Sequence, residues 1–121
     1  MATMSSLTGL FQRFCEEMMK RLKTELGRFY TGGYMSRYLP QTWVFKTENE
    51  VLTVVMDNEG NVILSGTDSK TPDVTIHTTE ITLTNALQSN AKPKWQWQVA
   101  FNTKKGEAAY TYMRGKFGLW A

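Results

Sequence analysis

Aromatic side chains crowd the end of the chain: Trp95, Trp97, Phe101, Tyr110, Tyr112, Phe117 and Trp120, interleaved with Lys104, Lys105, Arg114 and Lys116. Exposed, such rings stack on nucleic-acid bases while lysines meet the phosphates. Buried, they form the apolar wall of a ligand tunnel or an ordinary core. Aromatic stripes are usually packing, so core ranks first, tunnel wall second and stacking platform third. Other reactive residue types are sparse. His77 is the one histidine; beside Thr78 and Thr79 it reads as a hydrogen-bonded strand end. Cys15 is the one cysteine, which excludes an internal disulfide. Lying beside an apolar stripe, it reads as a buried or half-buried inert thiol. Glu48 and Glu50 flank a hairpin tip, where both are expected to be solvated; paired-carboxylate chemistry needs desolvation to raise one pKa. One histidine and one cysteine argue against a zinc site. No nucleophile–base pair or metal set assembles from the spacing. No catalytic residue, metal or cofactor is therefore expected, and an enzyme is the last class considered.

The elements that must position these side chains follow from periodicity. The chain has 121 residues, 41% hydrophobic and 21% charged, the composition of one globular domain spanning 1–121. Leu7, Leu10, Phe11, Phe14, Met18, Leu22, Leu26 and Phe29 recur at three- and four-residue steps, the apolar face of a long helix. Gln12, Arg13, Glu16, Glu17, Lys20, Lys23 and Glu25 are assigned to its solvent face. Ser5 or Ser6 can cap its start and Gly27 can stop it. Tyr30, Tyr34 and Tyr38 follow at four-residue spacing around Gly32-Gly33, as a short helix or an aromatic loop, lining a pocket mouth or packing over the sheet edge.

From Thr42 the period changes to two. Residues 43–47, 51–57, 61–65 and 73–77 read as strands, with a tight turn at Asn49 and a strong turn signal at Asp57-Asn58-Glu59-Gly60. Consecutive strands of this kind predict an antiparallel meander. In the second strand Leu52, Val54 and Met56 are expected to point inward together. A capped helix is expected over 79–90, with Ile81, Thr84, Leu87 and Leu83 on its buried side. Trp95, Trp97, Val99 and Phe101 alternate with polar or small residues. A strand over 95–101 hides all four large side chains on one face, at about 1.5–3 kcal/mol each. Residues 107–113 read as a helix or as the returning strand of a hairpin, Glu107 and Ala108-Ala109 favouring helix. Lys116 to Trp120 reads as a closing strand.

Charge is uneven along the chain: residues 1–40 carry +3, 41–86 carry −5 and 87–121 carry +5. A basic end is able to meet phosphates on lipid or nucleic acid, although solvating lysines on loops and strand ends are the favoured explanation. No apolar run approaches the roughly 18 residues of a membrane span, and no signal-peptide pattern opens the chain. A cytoplasmic location is expected.

Element order and short motifs together resemble one family. The amphipathic helix, the strand with Phe45, the Val54-Val55-Met56-Asp57 strand, Asp73-Val74-Thr75-Ile76 running into a Thr-started helix, and Gly115-Lys116-Phe117-Gly118-Leu119 are similar to the sterol carrier protein-2 (SCP-2) lipid-transfer family. The resemblance runs from about Leu7 to Trp120. It implies an α+β fold, a five-stranded antiparallel sheet with helices on one face, and a tunnel between the layers for an acyl chain or sterol. It implies no catalytic residues, and it supports the helical reading of 107–113. On this reading the chain binds or transfers an apolar small molecule or lipid without chemistry, making at most transient contact with a membrane surface. The expected wall is Phe11, Phe14, Met18 and Leu22 from the helix, Phe45, Val54 and Met56 from the sheet, and Leu83, Leu87 and Phe117 from later elements. Met18, Met19, Met56 and Met113 offer adaptable lining or ordinary filler. The alternative is a single-stranded nucleic-acid module built on the basic aromatic C-terminal quarter. It ranks lower because the middle segment is acidic and no Gly-rich or arginine-rich motif is present. A domain that binds a protein partner through a sheet edge is the third reading.

Overall fold

A computed structural model describes residues 6–28, 32–88 and 98–120. Helix α1 (Ser6–Leu26) buries Leu7, Phe11, Cys15, Met18 and Leu22, with Phe14 and Leu26 packed against them. These positions recur at three- and four-residue steps, and 21 residues at 1.5 Å each reach about 32 Å, enough to cross a sheet. The helix stops at Gly27, whose N–H donates to the Lys23 carbonyl at 3.2 Å. The apolar stripe is joined by a residue assigned to the solvent face: Glu25 is only 3% exposed. Its carboxylate accepts from the Tyr112 hydroxyl at 3.4 Å and pairs with Lys116 Nζ at 3.6 Å and Arg28 Nε at 3.5 Å. The last turn of α1 is covered by another helix, and that contact overrides the helical-wheel assignment. A one-turn helix, α2 (Gly32–Ser36), follows and packs on α1. Phe29, Tyr30 and the side chain of Tyr34 lie outside the described residues, as do Ser5 and the side chain of Ser6.

The sheet contains β1 (Gln41–Lys46), β2 (Val51–Met56), β3 (Val62–Ser65), β4 (Val74–His77) and β5 (Gln98–Phe101), in the spatial order β3-β2-β1-β4-β5. The first three strands form the expected antiparallel meander, Trp43 opposite Val54 and Val54 opposite Leu64. The Asp57–Asn61 turn between β2 and β3 is held by the Asp57 carboxylate. It accepts from the Glu59 and Asn61 N–H groups, each at 2.9 Å, and from the Asn61 side chain at 3.0 Å. The fourth strand departs from the meander. β4 lies on the far side of β1 and runs parallel to it, Trp43 opposite Val74 and Phe45 opposite Ile76. The sheet is therefore mixed. Residues 66–73 must span three interstrand spacings, about 14 Å, which eight extended residues cover easily. They cross the face opposite the helices: Thr53 Oγ1 donates to the Thr67 carbonyl, and Lys46 pairs with Asp68 at 3.5 Å. This strap accounts for the burial of Val44, Thr53 and Thr75 on a face that alternation alone assigns to solvent.

Leu52, Val54 and Met56 are buried together as the register requires. Helix α3 (Glu80–Gln88) buries Leu83 and half-buries Thr84 and Leu87, while Ile81 is 74% exposed instead of buried. The Thr79 hydroxyl accepts from the Thr82 N–H at 3.1 Å, the cap expected at its start. β5 is a strand over Gln98–Phe101, antiparallel to β4, but as an edge strand it does not hide the alternating side chains: Val99 is half-buried and Phe101 is 40% exposed, while Trp95 and Trp97 lie outside the described residues.

Helix α4 (Lys104–Phe117) contains the whole of 107–113 and buries Ala109, Tyr110, Met113 and Phe117. Thr103 caps it by accepting from the Gly106 N–H at 2.8 Å. The closing strand expected from Lys116 to Trp120 does not form. Residues 116 and 117 belong to α4, and Gly118, at φ 65°, ends the helix in the left-handed conformation with its N–H on the Arg114 carbonyl. Gly115 lies inside the helix. One apolar core joins the inner sheet face to α1, α3 and α4.

Candidate functional site

The ten expected wall residues come together, as packed core. Phe11, Met18, Leu22, Phe45, Val54, Met56, Leu83 and Phe117 are buried in one cluster, with Phe14 and Leu87 partly buried against it. The Phe11 and Phe45 rings meet edge to face at 4.6 Å. This interior joins α1 to the sheet, and none of the ten lines the cavity that opens beside it.

That cavity, about 850 Å³, is a groove beside the core, between α1 and the β2–β3 edge. Helix α1 contributes Thr8, Gln12, Cys15, Glu16 and Met19. Four of these recur at i, i+4, i+7 and i+11, a stripe flanking the buried one. Val51 and Leu52 come from β2, and Val62, Ile63 and Leu64 from β3. The groove exists because β3 is a four-residue edge strand with no further strand beside it among the described residues. Its apolar lining is Met19, Val51, Leu52, Val62, Ile63 and Leu64, and its polar rim includes Gln12, Glu16, Asn49, Glu50 and Asp68.

Cys15, read as an inert thiol, is buried at this groove. Burial first, and the negative charge of Glu16 second, push its pKa up to about 12. Glu48 and Glu50 are not simply solvated. Glu48 accepts from the Glu80 N–H at 2.9 Å, capping α3, while the neighbouring Asn49 amide donates to Glu80 at 2.6 Å. Glu50 is half-buried, and its Oε2 is buried without a hydrogen-bond partner among the described residues. The hairpin tip leans on α3, which sequence-local reasoning had no means of registering. Thr8, Gln12, Cys15 and Met19 carried a usable signal, a second helical stripe of mixed polarity, that the stronger apolar stripe obscured.

Of the C-terminal aromatics, Tyr110, Phe117 and Trp120 are consumed by packing, whereas Phe101 is exposed and Trp95 and Trp97 lie outside the described residues. Trp120, 1% exposed, sits among Phe14, Trp43 and Tyr110, with ring centroids 6.2, 5.7 and 5.4 Å away. Phe117 and Tyr110 are also buried, and Tyr112 stacks on Tyr38 at 4.9 Å. Buried rings cannot stack on bases. His77 is exposed opposite Gln98, at a shallow depression with Thr78, Thr79 and Thr82. Among the described residues no group of three or more His, Cys, Asp or Glu side chains is placed to hold a metal ion, and no helix is long and apolar enough to cross a membrane.

No protein-family model matches the sequence, and no curated protein matches it.

Proposed function

We propose that the chain is a non-enzymatic carrier that binds an apolar small molecule, of the size of an acyl chain, lipid or sterol, in the groove between α1 and the β2–β3 edge. The observation that carries this reading is the cavity of about 850 Å³ between the helix layer and the sheet. Its size falls within the range of small-molecule sites, roughly 300–1,000 Å³. The order of elements, with helices over one face of a five-stranded sheet, supports an SCP-2-like reading. The ligand-facing surface of that reading moves from the ten core residues to Met19, Leu52, Val62 and Leu64. Binding without catalysis suits a site whose thiol is held protonated. A cytoplasmic setting suits the single free cysteine.

Native mass spectrometry of the protein purified from cells tests the proposal, together with titration by a neutral environment-sensitive dye. Co-purified lipid, or saturable dye binding that Leu64→Trp abolishes without altering the circular dichroism, is the expected result. The absence of both a bound species and saturable dye binding would remove the reading.

A further inference from the structure

We infer that the groove selects a ligand with a cationic head, an apolar amine rather than a fatty acid; this deepens, and rests on, the carrier reading above. Among the described residues, the charged ones lining the groove are Glu16, Glu50 and Asp68, all carboxylates, with no lysine, arginine or histidine. Asp68 is answered from outside by Lys46 at 3.5 Å. Glu16 and Glu50 make no salt bridge among the described residues.

Glu50 weighs most. Its backbone is satisfied within the turn, the N–H donating to Thr47 Oγ1 at 2.9 Å and the carbonyl accepting from the Thr47 N–H at 2.9 Å. Its Oε2, by contrast, is buried with no donor among the described residues. A carboxylate oxygen shut off from water without a donor costs stability, and a nearby positive charge offsets that cost. The field of Glu16 reaches the same groove, since it helps hold the Cys15 thiol protonated. An apolar body against Met19, Val62 and Leu64 leaves a head group near these carboxylates. An ammonium is attracted there, whereas a fatty-acid carboxylate meets like charges, with Lys46 engaged by Asp68 at the rim.

Three ligands with the same twelve-carbon chain separate the possibilities: dodecylammonium, dodecanol and dodecanoate, titrated calorimetrically below their micellar concentrations at low salt. The expected result is dodecylammonium binding at least about tenfold tighter than dodecanoate, with dodecanol between. The gap should narrow as salt rises to about 0.5 M, where screening acts within several ångströms. Glu50→Gln should shrink the gap. Glu16→Gln, at an exposed helix position, should do the same and serves if the first variant fails to fold. Dodecanoate binding as tightly as the amine overturns the charge selection and leaves the carrier reading standing. So does an undiminished gap in both variants, whereas amine binding that survives occlusion of the groove by Met19→Trp overturns the selection and the placement of the ligand in the groove together. Failure of all three ligands to bind the wild-type chain removes the carrier reading itself, and the inference with it.

Discussion

Gly106, in the first turn of α4, lies directly against the backbone of Asp73 at the entrance to β4. A Cβ at residue 106 would collide with the Asp73 carbonyl oxygen and stand 2.9 Å from its carbonyl carbon. The contact belongs to a junction centred on Asp73. Its carboxylate accepts from the Thr42 N–H and from the Thr103 hydroxyl, both at 2.9 Å, and its carbonyl accepts from the Asn102 N–H at 2.9 Å. One residue thereby ties β1, β4, the end of β5 and the start of α4. Gly106→Ala should destabilise by about 1–3 kcal/mol, because the opposing atoms are backbone and cannot rotate away. Chemical denaturation measures it; an unchanged midpoint would show that α4 shifts freely.

Gly115 is the contrasting case. It sits inside α4 on an exposed face, and a Cβ there meets nothing within 4 Å. Gly115→Ala should stabilise by about 0.5–1 kcal/mol through lower unfolded-state entropy and better helix propensity. A thermal melt should show the midpoint rising by several degrees.

Cys15 should be unreactive in the folded chain. With its pKa raised to about 12, the thiolate fraction at pH 8 is about a thousandfold below that of an ordinary thiol. Disulfide-exchange reagents should modify it slowly in buffer and rapidly in denaturant. The folded state holds the thiol above its unfolded value of 9.0. Its contribution is therefore fully present below pH 9 and is lost as the pH rises from 9 towards 12. Stability measured across that window should fall less steeply in Cys15→Ala than in the wild type.

Trp120 closes the aromatic cluster that joins α1, β1 and α4, touching Phe14, Trp43 and Tyr110. Trp120→Ala should cost about 3–5 kcal/mol. Trp120→Phe should recover part of it. Equal losses in both variants would mean that the indole's edge matters more than its buried area.

Glu25 anchors the end of α1 to α4. Its charged partners, Arg28 and Lys116, are substantially exposed, so truncating the carboxylate strands no buried cation. Glu25→Ala should therefore cost only about 1 kcal/mol, and a double-mutant cycle with Lys116→Ala measures the pair. A coupling near zero would reduce the ion pair to a neighbour contact.

Local periodicity carried far in this chain. The stripe of Leu7, Phe11, Met18 and Leu22 defined α1, and the inward set Leu52, Val54 and Met56 defined the register of β2. Alternation ending at Phe101 pointed to the strand β5, though not to its exposure at the sheet edge, and Glu107 with Ala108-Ala109 favoured helix over strand where α4 forms. Each is a short-range property, written in neighbouring residues through the 3.6- and 2-residue periods. The limits came where distant segments meet. Nothing local to Val74–His77 says that it pairs with β1 and not β3, because strand order depends on where the 66–73 strap can run. Gly118 ended a helix where apolar alternation read a strand, since a left-handed cap and a strand glycine look alike in sequence. Glu25 and Glu50 carry ordinary surface residue types, and only the approach of α4 and the closeness of α3 and α1 to the β1–β2 tip withdrew them from water. The groove, too, belongs to the tertiary structure: it is the space left where a short edge strand ends beneath a long helix, and no residue encodes a gap.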